Sequence, residues 1–324
     1  MTFTRLLILF AWYGFALSPL PSIAAPAEFR FGVIAQPFAD PARDEPALRQ
    51  MLDDTDADNL AFVLVNGIKS FAEPCSDEIY EQRKALLDNA KNGVIVSVAA
   101  SDWSECRYSD GRIAALERLN RIRDLYFSTD LSFGASKLPL TRQSSNAKFR
   151  DYSENSRWEL NGITFATINL PANNNRYIAA AGRNGEFEDR QIANQDWINR
   201  LVTFAKRSKS IGIVIFCDGN PLAETSAAGK RDGFAEIRQV LHAAASKFPG
   251  KILVIHNRPR NAKTEERIVW RGNIGELGLR SGWTRLAVVP ASLSLFSIVE
   301  RNGDTGNGAR NKKAAPNVAA LSAN

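Results

Sequence analysis

Histidine is almost missing from this chain: its 324 residues include two, His242 and His256. Sites that chelate transition metals or move protons near neutral pH draw heavily on imidazole, so this scarcity leaves little material for either task. Cysteine is also scarce, with Cys75, Cys106 and Cys217 far apart and in no zinc-finger spacing. There is no Gly-rich phosphate loop and no serine nucleophile elbow. No internal repeat is visible, which excludes a solenoid or propeller. Basic residues outnumber acidic ones, 41 to 35, but form no cluster dense enough for a nucleic-acid footprint. Beyond the N-terminus no apolar run is long enough to cross a membrane.

What is present points to a folded, exported protein. Apolar residues make up 44% of the chain, enough for a full core. A short basic start, "MTFTR", is followed by the apolar run "LLILFAWYGFAL" and then by helix breakers and small residues. This is the pattern of a secretory signal peptide over residues 1–24, with cleavage expected after Ala24 and a periplasmic or secreted destination. Without a further span, no stable membrane insertion is expected after cleavage. The formal net charge of +6 becomes +5 once Arg5 leaves with the leader. An oxidising compartment permits a disulfide, and three cysteines leave one thiol over. Cys75 and Cys106 follow strands, in the loops "AEPCSDE" and "DWSECRY", and are the expected pair. Cys217 ends an apolar strand and reads as a small buried hydrophobe. The tail, residues 301–324, is polar, rich in Gly, Asn and Ala, and expected to be disordered.

Between leader and tail, residues 27–300 read as one α/β domain. Strands are predicted at 28–35, 59–65, 93–99, 157–160, 163–170, 211–216 and 251–256, with short closing strands at 267–270, 285–289 and 294–298. Helices are predicted at 44–54, 76–91, 110–127, 189–206 and 232–248, the second capped by Ser76. Residues 130–157 are polar and read as a long irregular insertion. Unbroken apolar strands imply sheets covered on both faces.

Several segments together resemble the calcineurin-like metallophosphoesterases, in an exported bacterial branch. They are "FRFGVIAQPF", "LAFVLVNGIKSFAEPCSD", "VAASDWSEC", "ITFATINLPANNN", "IVIFCDGNP" and "LVIHNRPR". The resemblance implies a double-sheet α/β sandwich and carries with it the Cys75–Cys106 pairing. Active members of the family place two divalent metal ions at the strand ends and hydrolyse phosphoesters with an activated water.

The metal-ligand positions of that family are replaced here. Gln36 stands where the first strand supplies an aspartate. Asn66-Gly67 stands for the Gly-Asp pair that bridges both ions. Ala99, Ala100 and Ser101 occupy the third strand's end, and Cys217, or Phe216 one residue earlier, takes the place of a histidine. Arg258 and Arg260 fall on the last two ligands, just after His256. A guanidinium cannot donate a lone pair and repels a dication. At ~4 Å and an effective dielectric of ~20, each unit of charge product costs about 4 kcal/mol. A dinuclear metal site, and hence any metal cofactor, is therefore not expected.

Three readings stand open. In the first the site has decayed, with Arg258 and Arg260 solvated and Gln36, Asn66 and Ser101 filling the pocket. In the second the protein is a pseudoenzyme that binds a phosphate-bearing or other anionic ligand through Arg258 and Arg260, aided by Asn66 and Gln36. In the third a phosphoesterase site has been rebuilt, with Cys217 and His256 as a thiolate–imidazole pair oriented by Asp102 or Asp218, or with one metal held by Asp102, Asp218 and His256. The sequence names no protein partner.

Overall fold

The computed structural model describes residues 27–35, 38, 42–180, 182, 184–223, 231–258 and 265–299. Gln36, Arg260, the leader and the tail lie outside the described residues. The architecture is a double-sheet α/β sandwich. The first sheet comprises β1 (Phe29–Ala35), β2 (Val63–Asn66), β3 (Val94–Ser97), β11 (Gly282–Val288) and β12 (Phe296–Val299), ordered β12-β11-β1-β2-β3. The second comprises β4 (Thr141–Arg142), β5 (Ser156–Leu160), β6 (Ile163–Thr167), β7 (Gly212–Cys217), β8 (Lys251–Asn257), β9 (Val269–Arg271) and β10 (Ile274–Leu279). Its order is β4-β5-β6-β7-β8-β10-β9. In the second sheet parallel pairs form the centre and antiparallel pairs both margins. In the first, β1, β2 and β3 are parallel out to the edge, and β11 and β12 add antiparallel on the other side.

The two-residue period of a strand decides which side chains meet. Phe31, Val33 and Leu64 of the first sheet face Phe165, Val214, Phe216, Leu253 and Ile255 of the second, in a core between the sheets. Aromatic rings fill its centre: Phe62 lies edge-on to Trp158 at 5.3 Å and to Phe165 at 4.9 Å. Ile34, Val63 and Val65 turn the other way, toward helices α1 (Asp44–Asp56), α2 (Asp77–Asp88) and α4 (Ala115–Tyr126). On the second sheet Ile213, Ile215, Ile252 and Val254 turn toward α5 (Gly185–Arg207) and α6 (Ala235–Lys247). The helices bury residues at helical spacing, such as Leu119, Ile122 and Tyr126 of α4 and Ile237, Leu241 and Ala244 of α6. Ser76 caps α2 by accepting the Ile79 amide at 3.5 Å. No helix among the described residues is long and apolar enough to cross a membrane.

Several elements differ from the sequence expectation. Residues 130–157 are largely irregular, as expected, but they are tied into the fold: β4 pairs with β5 there, and Phe133 and Val94 exchange backbone hydrogen bonds. Their polar side chains are used internally. The buried Asn155 amide donates to Gln143 and Asn194 at 2.7 and 2.8 Å, and the buried Glu154 carboxylate pairs with Arg123 at 2.7 Å. Strand β10 went unread because two glycines interrupt "IGELGL". The glycine at 278 leaves room for the Arg258 stem, whose Cγ would lie 2.3 Å from a Cβ there. Helix α4 starts at Ala115, since residues before it form a turn closed by an Arg107–Ile113 bridge. Helix α5 starts at Gly185, with Glu186 and Glu188 favourably placed in its first turn.

Cys75 and Cys106 form a disulfide, 31 residues apart in sequence, that joins the loop after β2 to the loop after β3. Cys217 is free and buried. Closing a loop of that length stabilises the fold by about 3–4 kcal/mol through the unfolded chain. The double substitution Cys75→Ala, Cys106→Ala is expected to lower the urea-unfolding free energy by that order. An unchanged midpoint would show that the covalent link adds nothing to the polar packing around it.

Candidate functional site

The residues singled out in the sequence gather at the C-terminal ends of β2, β3, β7 and β8, where the two sheets abut. The period of two then divides them. Asn66 follows the inward-facing Leu64, Asp218 follows Phe216, and Asn257 follows Ile255, so all three lie on the inter-sheet side. Cys217 shares the helix-facing set with Ile213 and Ile215, and His256 and Arg258 continue the set of Ile252 and Val254. The candidates are thus two groups on opposite faces of the second sheet.

The inter-sheet group forms a hydrogen-bond network centred on one carboxylate. The buried Asp218 carboxylate accepts the Ala100 amide at 2.7 Å, the Ala172 amide at 2.8 Å and the Asn257 side-chain amide at 2.8 Å. Asn66 donates through Nδ2 to the Cys217 carbonyl at 2.7 Å, and Asn257 Nδ2 lies 3.5 Å from the Asn66 carbonyl. Burial pushes the Asp218 pKa up, while the Ala100, Asn257 and Ala172 donors and the His256 charge pull it down. Among the described residues, the side-chain carbonyl oxygens of Asn66 and Asn257 are buried and have no partner.

A second buried carboxylate shapes the loop above. Asp102, in the short helical turn α3 (Ala100–Trp103), accepts the Ile68 and Lys69 amides at 2.8 and 3.1 Å and the Ala99 amide at 2.7 Å. Desolvation pushes its pKa up to about 7, against the pull of those three amides and of Lys69. The Lys69 ammonium is itself buried, donating to the Ser70 and Glu73 carbonyls at 2.7 and 2.9 Å, and burial lowers its pKa. Glu73 in turn pairs with the fully buried Arg83. The loop leaves β2 through Gly67, whose φ of +110° favours glycine. Ser101 is half-buried, its hydroxyl 3.5 Å from Asp102.

His256 and Arg258 of the helix-facing group line a cavity of ≈450 Å3 at the end of β8, together with Asn257, Asn220, Glu276, Glu265 and Arg267 among the described residues. His256 Nδ1 donates to the Asn257 carbonyl at 2.8 Å, and Nε2 lies 3.5 Å from Glu276. Glu276 also accepts from Asn220 at 2.7 Å, and His256, Asn220 and Arg271 hold its pKa down against burial. Arg258 runs over Gly278, with Nη1 3.4 Å from the Glu265 carbonyl.

The expected constellations come together only in part. Asn66 and Ser101 do not line the Arg258 cavity, because Asn66 is spent on the inter-sheet network. Cys217 does not pair with His256: its thiol donates to the Gly219 carbonyl at 3.2 Å, is fully buried, and is driven to a higher pKa by desolvation. Asp102, Asp218 and His256 do not converge, since each carboxylate is saturated by its own amides and His256 lies on the opposite face. Among the described residues no three His, Cys, Asp or Glu side chains form a metal-holding group. Sequence reading passed over Asn257, Asn220 and Glu276. Asn257 was findable, because its place in the strand alternation puts it beside Asp218. Asn220 and Glu276 meet only through the pairing of β8 with the unread β10.

No protein-family model and no curated protein matches this chain. Among solved structures it is similar to GAP50, the anchor in the inner membrane complex of Plasmodium, with 10% identity, a TM-score of 0.44 and 81% of each chain covered.

Asp218→Asn puts an amide donor against one of three existing donors and is expected to cost about 1–3 kcal/mol in urea unfolding. A neutral outcome would show that the network is not what joins the strand ends. For Asp102 the pH dependence has a definite sign. Its pKa rises from 3.8 toward about 7 on folding, so as pH climbs through that window the unfolded chain loses the proton first and the group's contribution falls. An Asp102→Asn chain lacks that slope. Its stability deficit relative to the native sequence is expected to narrow between about pH 4.5 and about pH 7.5. A deficit that widens over this range contradicts the assignment.

Proposed function

We propose that this protein is an exported pseudo-phosphoesterase: a calcineurin-like metallophosphoesterase fold whose strand ends hold an internal hydrogen-bond network where a dinuclear metal centre would lie. In this reading it binds phosphate-bearing or other anionic ligands through Arg258, with Arg260 two residues on, and does not hydrolyse them. The observation that carries it is the saturation of Asp218. All its donors come from within the protein, and Gly67 offers no ligand where a bridging carboxylate is required. Two divalent ions need several lone pairs aimed at common points. Here the Asp218 oxygens are engaged by N–H donors, and the lone pairs left over, on the side-chain oxygens of Asn66 and Asn257, are two neutral amide carbonyls with no bridging carboxylate, so they do not fit that pair of ions and no step through a metal follows from them.

Export is supported by the signal-like leader and by the Cys75–Cys106 disulfide, a bond that persists in oxidising compartments. Ligand binding is supported by the cavity at the end of β8, where Arg258 supplies a planar fork suited to phosphate or carboxylate. A rebuilt hydrolase using Cys217 gains no support, because a fully buried, proton-retaining thiol is a poor nucleophile.

The test has two arms. Purified protein incubated with manganese, iron or zinc and desalted is expected to retain no stoichiometric metal and to show no metal-dependent hydrolysis of bis(p-nitrophenyl) phosphate. Isothermal titration with phosphate, nucleotides and phosphosugars is expected to show binding that Arg258→Ala plus Arg260→Ala weakens by about tenfold or more. Retained metal with phosphodiester turnover overturns the first half of the proposal, and titration unaffected by the double substitution overturns the second.

A further inference from the structure

We propose a second, independent ligand site at the opposite edge of the second sheet: a groove between α5 and the β4–β5 margin that takes an oxyanion carried on a small hydroxylated molecule. The groove has a volume of ≈400 Å3. Its floor comes from the sheet, where Thr141 and Arg157 are cross-strand neighbours. Trp158 is packed between the sheets, so the alternation turns Arg157 outward toward α5. Its wall comes from the helix, which presents Asp196, Arg200, Thr203 and Arg207 at spacings of three and four residues.

The charges are unbalanced. Three arginines, Arg157, Arg200 and Arg207, line the groove with one carboxylate, Asp196, which is already bound to Arg200 at 2.5 Å. Arg157 and Arg207 have no hydrogen bond or ion pair among the described residues. Arg207 alone has a bland explanation, since a cation in the last turn suits the helix dipole. That does not account for Arg157, which comes from a different element. Its guanidinium is stacked on the Phe204 ring at 3.7 Å. Partial burial lowers its pKa, with Glu159 pulling weakly the other way. A cation–π contact offsets only part of the cost of desolvating a cation. What it does supply is orientation: stacking fixes the plane of the fork, leaving its N–H edges for a planar or tetrahedral oxyanion. The Asn199 side chain in the same groove has no hydrogen bond among the described residues, and the Thr203 and Ser145 hydroxyls donate to backbone carbonyls at 2.9 and 2.7 Å, leaving lone pairs that accept. Those groups match the hydroxyls of a sugar-like body.

The test uses the whole chain in the Arg258→Ala, Arg260→Ala background, so that its outcome is separate from the fate of the β8 cavity. Isothermal titration with a hexose phosphate, a hexuronate, inorganic phosphate and a neutral hexose is expected to show one site for at least one of the three anions and none for the neutral sugar. The preferred anion tells phosphate from carboxylate. Arg207→Ala, an exposed change, and Arg157→Lys, which keeps the charge and loses the fork, are each expected to weaken Kd by about tenfold or more. Far-UV circular dichroism checks folding, and should Arg157→Lys unfold, Arg207→Ala decides alone. Absence of anion binding, equal binding of the neutral hexose, or a Kd indifferent to both substitutions overturns the proposal.

Discussion

One buried carboxylate gathers the strand ends of both sheets of this protein, beside a direct bond from Asn66 to the Cys217 carbonyl. Asp218 draws an amide from the turn after β3, an amide from the loop after β6 and a side-chain amide from the end of β8 onto its two oxygens. A buried carboxylate is costly, and three short hydrogen bonds, with a weaker pull from His256, offset part of that cost. The position of every other polar group nearby follows from them. Ala100 can donate only if the chain turns into α3 at once, and that turn is held by the second carboxylate, Asp102. Asp102 in turn fixes the loop carrying Lys69 and Glu73, which the disulfide closes.

Strand ends that converge in an α/β fold present the same difficulty wherever they occur. Backbone groups and polar side chains from several strands crowd into a space that water reaches poorly, and each needs a partner. Metal ions are one solution, because they gather lone pairs. An internal network is another, because it matches lone pairs with N–H groups. The residues here follow the second solution in large part: Asn66 and Asn257 donate through their side-chain amides and both aspartates accept several N–H groups, while the side-chain oxygens of the two asparagines are left over.

Much of this was legible in the sequence. The order of strands and helices, the disulfide partners, the Ser76 cap and the burial of Cys217 follow from apolar period, cap chemistry and loop position. The division of the candidate residues between two faces was legible too, from the alternation Phe216-Cys217-Asp218 and Ile255-His256-Asn257, though reading them as one pocket obscured it. How residues 130–157 are tied into the fold was not legible. Their polar side chains look solvated until partners distant in sequence are brought up, as Asn194 and Arg123 are to Asn155 and Glu154. Composition reports polarity but not its satisfaction, and buried amide networks are where that distinction matters most. Strand β10 was hidden for a related reason: its glycines look like breaks, but at Gly278 the missing side chain is the space that the Arg258 stem fills.

That glycine bears on how the arginines work. Arg258 emerges on the helix-facing side, its stem pressed against β10, its backbone amide bound to the Leu279 carbonyl at 2.8 Å. It therefore does not stand among the groups that Asp218 gathers, and it cannot serve as their counter-ion across the sheet. The inter-sheet network is held by its own N–H donors. The guanidinium faces a separate cavity that it shares with Glu265, Arg267 and Glu276, and there Glu276 is held by Asn220, His256 and Arg271. The aspartate network and the arginine are thus set on opposite faces by the same strand alternation, and each answers to its own partners.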